Sequence, residues 1–76
     1  MHNWDAIIPK LRAIGFRPDK LIRVSRSGNI PYGISVYSPP LLMDKNVKKI
    51  EGCLGKGKYR IVKYENLGEI CITEIL

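Results

Sequence analysis

The 76-residue sequence predicts a single α+β domain over residues 1–76, an αββ unit used twice. The expected αββαββ order builds a four-stranded antiparallel sheet with two helices on one face and the other face open. The first unit is an apolar-periodic segment from Trp4 to Ile14, a stop at Gly15, and strand-like runs at Leu21–Arg26 and Tyr32–Tyr37. The second repeats that order, with a periodic segment from Asp44 to Leu54, a stop at Gly55, and runs at Lys58–Tyr64 and Glu69–Ile75. A third observation is the formal charge of +6, which on a chain with an open sheet face points to a surface that meets a polyanion.

Each element has a local reason. Asn3 is placed to cap the first helix, with Trp4 and Asp5 in its opening turn. Ile7, Ile8, Leu11 and Ile14 form its apolar stripe. Pro9 interrupts the stripe and predicts either a kink or a late start, because proline lacks the N–H and crowds the preceding turn. Gly15 suits a left-handed cap, with Phe16 placed to contact Leu11. Ser27-Gly28-Asn29-Ile30-Pro31 reads as a turn longer than two residues between the first pair of strands.

Pro39-Pro40 ends that hairpin, and Asp44 is the expected cap of the second helix. Val47, Ile50 and Leu54 make its stripe, while Lys45, Lys48 and Lys49 lie off it. Gly52 is unfavourable inside a helix, which suggests close packing against the first helix. Glu65-Asn66-Leu67-Gly68 closes the second hairpin.

Strand alternation sorts the side chains. Ile22, Val24, Ile34 and Val36 are expected inward, and Arg23, Ser25, Ser35 and Tyr37 outward. Tyr59, Ile61, Ile70 and Ile72 inward send Lys58, Arg60, Val62, Tyr64, Cys71 and Thr73 outward. Val62 and Tyr64 also alternate as an apolar pair, so the third strand has a second register open to it. The outward set is rich in groups that bond phosphates and base edges.

Charge is clustered. From Lys10 to Arg26 there are six basic residues and one acid, and from Lys45 to Lys63 seven and one. Tyr64 to Leu76 holds three acids and no base. Such clustering is the footprint of nucleic-acid binding, although a solvated surface that keeps a small protein soluble has the same composition. A chain this short buries only about 60% of its extended surface, which favours completion by a partner or a second copy.

Catalytic chemistry finds no foothold. The single histidine, His2, lies at the chain terminus, and the seven carboxylates are scattered. Cys53 and Cys71 sit in no CxxC or Cys/His cluster, so no metal or cofactor is expected. Two free thiols fit an intracellular protein, and one disulfide between them is the other arrangement. Gly55-Lys56-Gly57-Lys58 lacks the full phosphate-loop pattern and precedes a strand, so it reads as a helix stop and turn. The N-terminus has no basic segment followed by an apolar core, and no apolar run reaches the ~18 residues of a membrane span. A cytoplasmic setting is the expectation.

The stretch from Val47 to Tyr59, Val-Lys-Lys-Ile-Glu-Gly-Cys-Leu-Gly-Lys-Gly-Lys-Tyr, resembles the helix-to-strand passage of LAGLIDADG homing endonucleases. That passage is a basic helix ending in a Leu-Gly-x-Gly turn that enters a strand. The family's αββαββ core presents a curved sheet to the DNA major groove. The resemblance implies contacts from Arg23, Ser25, Ser35, Tyr37, Lys58 and Arg60. The departure is at the first helix, which contains Pro9 and ends without the family's metal-binding acid. Asp19 comes too late to replace it, so cleavage is not implied.

The expectation is therefore a small, non-catalytic nucleic-acid-binding regulator or accessory module, with duplex DNA favoured and a homodimer as its assembly. Its contact residues would be Arg23, Ser25, Ser35, Tyr37, Lys56, Lys58 and Arg60, with Arg23 and Arg60 near the middle of the sheet face and the two lysines at its rim. The competing expectation is a protein-interaction module or inhibitor working through a sheet edge or helix face. The weakest is a remnant nuclease using Asp19 with a metal ion.

Overall fold

The computed structural model describes residues 4–74. Helix α1 (Trp4–Ala13) is followed by strands β1 (Asp19–Ser25) and β2 (Gly28–Tyr37), then helix α2 (Met43–Leu54) and strands β3 (Tyr59–Tyr64) and β4 (Glu69–Glu74). Short 3₁₀ turns at Pro40–Leu42 and Glu65–Leu67 precede α2 and β4. The strands form one antiparallel sheet in the order β1-β2-β4-β3. The α+β class and αββαββ order are as the sequence predicts. No described helix is long and apolar enough to cross a membrane.

Alternation explains why both helices share one side. Ile34 and Val36 on β2 and Ile70 and Ile72 on β4 point to the same face and are almost fully buried. Trp4, Ile7 and Leu11 of α1 and Met43 and Ile50 of α2 cover them in one continuous core. The two helices also open alike. Trp4 and Met43 are both buried, Asp5 and Asp44 follow, and Leu11 and Ile50 are fully buried seven residues on. Each aspartate latches its helix to an edge strand. Asp5 meets Lys20 of β1, and Asp44 meets Lys63 of β3, both at 2.6 Å. The Lys63 ammonium holds the Asp44 carboxyl below its ordinary value, and Asp44 in turn raises Lys63.

The caps divide into one success and one correction. Phe16 donates to the Leu11 carbonyl at 3.1 Å and Gly15 to the Arg12 carbonyl at 3.0 Å, with Gly15 at φ +98. This is the Schellman pattern expected at that glycine. Asp44, by contrast, does not cap α2. The helix starts one residue earlier, Leu42 is its N-cap, and the Asp44 side chain goes to Lys63. Pro9 does not delay α1, which begins at Trp4, because only the bond that would reach back to Asp5 is lost. Asn3, Ile75 and Leu76 lie outside the described residues.

Two further expectations are corrected. The first hairpin has a two-residue turn, Arg26-Ser27, not a longer one. Gly28 takes φ +113, and the Ser25 hydroxyl both donates to the Gly28 carbonyl and accepts from the Ser27 N–H. These bonds let β2 begin at Gly28 and include Pro31. Gly52 is exposed and has nothing within 4 Å of where a Cβ would sit, so it permits no helix contact.

A β-bulge reshapes the first hairpin. Leu21 pairs with Gly33 but Ile22 pairs with Pro31, which leaves Tyr32 as the extra residue. Beyond this point, among the described residues, β2 pairs with β1 alone, since its described pairing with β4 runs from Gly33 to Tyr37. The distal hairpin is therefore a two-stranded arm extending past the helical layer. Ile22 and Val24, expected in the core, lie on this arm and are 46% and 81% exposed. Their alternation is correct, but among the described residues no helix covers them.

Candidate nucleic-acid interface

The face opposite the helices carries four cross-strand rows set by the register. Tyr37, Glu69 and Tyr64 make one row, and Ser35, Cys71 and Val62 the next, with Asp19 beside Ser35. Leu21, Gly33, Thr73 and Arg60 form the third. Arg23 pairs with Ile30 further out on the arm. The register of β3 is resolved here. Tyr59 and Ile61 pack against the core, and Arg60, Val62 and Tyr64 face outward.

The two ends of this face differ. At the arm end lie Arg23, Arg60 and the turn residue Arg26, with Lys56 and Lys58 in the α2–β3 turn beside the start of β3. All five are exposed. At the other end, Tyr37 and Tyr64 flank the half-buried Glu69. Exposed Leu41, Leu42 and Leu67 occupy the two 3₁₀ turns there. A shallow depression along Lys63, Tyr64, Glu65, Asn66 and Leu67 borders the same end.

The expected contact residues are distributed unevenly over this map. Arg23, Lys56, Lys58 and Arg60 lie toward the arm end, but Arg23 and Arg60 stand on the two outer strands, β1 and β3, and not near the middle of the face as expected. The Arg23 guanidinium lies over the Tyr32 ring, 5.5 Å from its centroid, a cation–π pair that holds it on the open face. Lys58 does not belong to β3, which starts at Tyr59; its side chain folds back across Gly55. Ser25 is engaged by the turn through both bonds of its hydroxyl. Ser35 sits half-buried in mid-sheet beside Cys71. Tyr37, 68% exposed, stands at the far end from Arg23.

Several groups on this face escape sequence reasoning. Tyr32 comes to it only through the bulge, and Arg26 reaches the tip only through the tight turn. Glu69 and Asp19 add carboxylates to a face whose expected members were neutral or basic. Cys71 is also here, whereas Cys53 lies on α2 with its thiol toward the Lys10 carbonyl at 3.8 Å; both are free. Burial pushes the Cys71 thiol up, the Glu69 charge adds to the shift, and a hydrogen bond from Ser35 opposes it. Among the described residues no group of three or more His, Cys, Asp or Glu could hold a metal ion.

The helical layer carries positive charge as well. Lys10, Arg12, Lys45, Lys48 and Lys49 are exposed on its outer side. Comparison with protein-family models, with curated proteins and with solved structures found no match for this chain.

Proposed function

We propose that the protein is a non-catalytic nucleic-acid-binding module whose arm end meets duplex DNA. The observation that carries this reading is the gathering of Arg23, Arg26, Lys56, Lys58 and Arg60 around one end of an open antiparallel sheet. A two-stranded ribbon is slim enough for the major groove, which is about 12 Å wide. Arg23 on the ribbon's open face and Arg26 at its tip reach base edges or the backbone inside the groove, Arg60 follows on the sheet, and Lys56 and Lys58 neutralise flanking phosphates. The resemblance of residues 47–59 to LAGLIDADG proteins is consistent with a groove-facing sheet.

A salt titration with random duplex DNA tests the proposal. Log affinity should fall linearly with log salt, with a slope near −0.9 per phosphate neutralised. Absence of binding to DNA or RNA at low salt would remove the reading.

The second reading, a protein-interaction module, has its own observation. Leu41 is 99% exposed, and Leu42 and Leu67 are exposed in the two turns at the same end of the strands. A homodimer would use that end or an edge strand, β1 or β3. The last strand, β4, lies inside the sheet with Ile70 and Ile72 fully buried, so it offers no free edge to a second copy.

A further inference from the structure

The far end of the open face is poorly suited to phosphate. Glu69 stands between Tyr37 and Tyr64, paired in register with both. Its carboxylate engages no hydrogen bond or salt bridge among the described residues. A fixed negative charge between two rings repels the backbone of a nucleic acid and attracts hydrogen-bond donors. The rings supply flat apolar faces of the kind that stack on bases.

The spacing fits one planar group. Tyr37 and Tyr64 lie on strands two apart in the sheet, so their backbones are separated by about 9.5 Å. A base held between two rings needs two stacking contacts of about 3.5 Å each. The rings must therefore lean inward, and Tyr37 already does so. Its ring lies over Gly68, where an added Cβ would come within 3.2 Å of the ring edge. Gly68 is buried at φ +64, and its carbonyl accepts from the Ser38 N–H at 2.8 Å, which fixes the site's floor.

We infer that the Tyr37–Glu69–Tyr64 row holds one unpaired nucleobase, with the carboxylate reading a donor-rich base edge. Guanine fits best, because N1–H and the N2 amino group present two adjacent donors to the two carboxylate oxygens. Thymine and uracil offer a single donor between two acceptors and fit worst. A paired base is excluded, since its Watson–Crick edge is already occupied. The inference rests on the nucleic-acid reading above and deepens it: the arm end takes duplex, and the far end takes a base from an adjoining single strand.

Fluorescence anisotropy with three labelled probes tests it: a short blunt duplex, the same duplex extended by unpaired guanosines, and one extended by unpaired thymidines. The guanosine extension should tighten binding at least about fivefold, the smallest gain that one stacked base supplies. Thymidines should add less. Tyr37→Ala and Tyr64→Ala should each abolish the gain while leaving blunt-duplex affinity unchanged. Tyr64→Phe keeps the ring and should retain it. Glu69→Gln should erase the preference for guanosine over thymidine. If the blunt duplex binds and the guanosine extension adds nothing, the inference is overturned and the duplex reading stands. Equal gains from both extensions overturn the carboxylate's role. If no probe binds, both fall together.

Discussion

The two ends of the open sheet face draw on different strands of one sheet, β1 and β2 running on into the arm and β2, β4 and β3 making the far row, and they offer opposite chemistry. The arm end is cationic and projecting, with Arg23, Arg26, Lys56, Lys58 and Arg60 around a two-stranded ribbon. The far end is aromatic, with Tyr37 and Tyr64 beside Glu69, and the exposed leucines of the two 3₁₀ turns lie at the same end of the strands. Position relative to the helices separates them further. At the far end the Pro40–Leu42 turn leads into α2 and Ser38 is pinned to Gly68. At the arm end the described helices leave Ile22 and Val24 of the hairpin exposed. The lesson is that net charge does not locate a surface, whereas strand register and helix length do.

Core truncation should break the contrast most severely, because it separates the body from the arm. Ile34→Ala should destabilise the fold by about 2–5 kcal/mol, the usual cost of emptying a buried aliphatic site. Val24→Ala, in a residue 81% exposed, should change stability by no more than about 0.5 kcal/mol. Chemical denaturation measures both. Equal losses would show that something covers the arm in solution.

Arginine replacement comes next. Arg23→Ala and Arg60→Ala should each weaken duplex binding by about 1–3 kcal/mol and change sequence preference if the side chain reads a base. Arg23 also releases Tyr32 when removed, so its variant should perturb the Tyr32 ring resonances and the Arg60 variant should not.

Glycine substitutions sharpen the distinction between sites that need glycine and sites that do not. Gly52→Ala should stabilise the protein by about 0.5–1 kcal/mol, since the helix gains a better former and the methyl meets nothing. Gly28→Ala should destabilise it by roughly 1 kcal/mol or more, because φ +113 at the arm's turn is strained for any side chain. Thermal melts with opposite shifts would bear this out.

These contrasts show what the sequence makes legible. Both helices are readable because their stripes repeat at helical spacing and each ends at a glycine with positive φ, Gly15 and Gly55. The inward set of the second hairpin is readable because Ile61, Ile70 and Ile72 alternate without interruption. The arm is not. Ile22 and Val24 alternate like core residues, and only the reach of the described parts of α1 and α2 leaves them exposed. Tyr32 is lost for a similar reason, since a bulge shifts register by one residue without leaving a mark in composition. Of the candidate site, the outward facing of Arg23 and Arg60 is legible from strand alternation, but their places on the two outer strands are not. Their separation from Tyr37 and the insertion of Glu69 depend on the order β1-β2-β4-β3, which local pattern does not encode.

The smallest effect concerns the Asp44–Lys63 latch. The folded Asp44 value is lowered, so its contribution is complete above the ordinary value of 3.8 and is lost as pH falls through the folded value. The folded Lys63 value is raised, so its contribution is complete below 10.5 and is lost as pH rises through the folded value. Exposure keeps the energy small. In an NMR titration of Lys63→Gln, the Asp44 carboxyl should return toward 3.8. A carboxyl that stays low would assign the shift to another group.

The central claim is that nucleic acid meets the arm end and not the equally basic outer side of the helices. Two double variants with the same loss of charge decide it, Lys56→Ala/Lys58→Ala and Lys45→Ala/Lys49→Ala, each titrated with duplex DNA across a range of salt. The first should flatten the slope of log affinity against log salt by about 1.8, or about 0.9 for each lost phosphate contact. The second should leave the slope at the wild-type value. A flattened slope in the helix variant with an unchanged slope in the turn variant would contradict the account and move the interface to the helical layer.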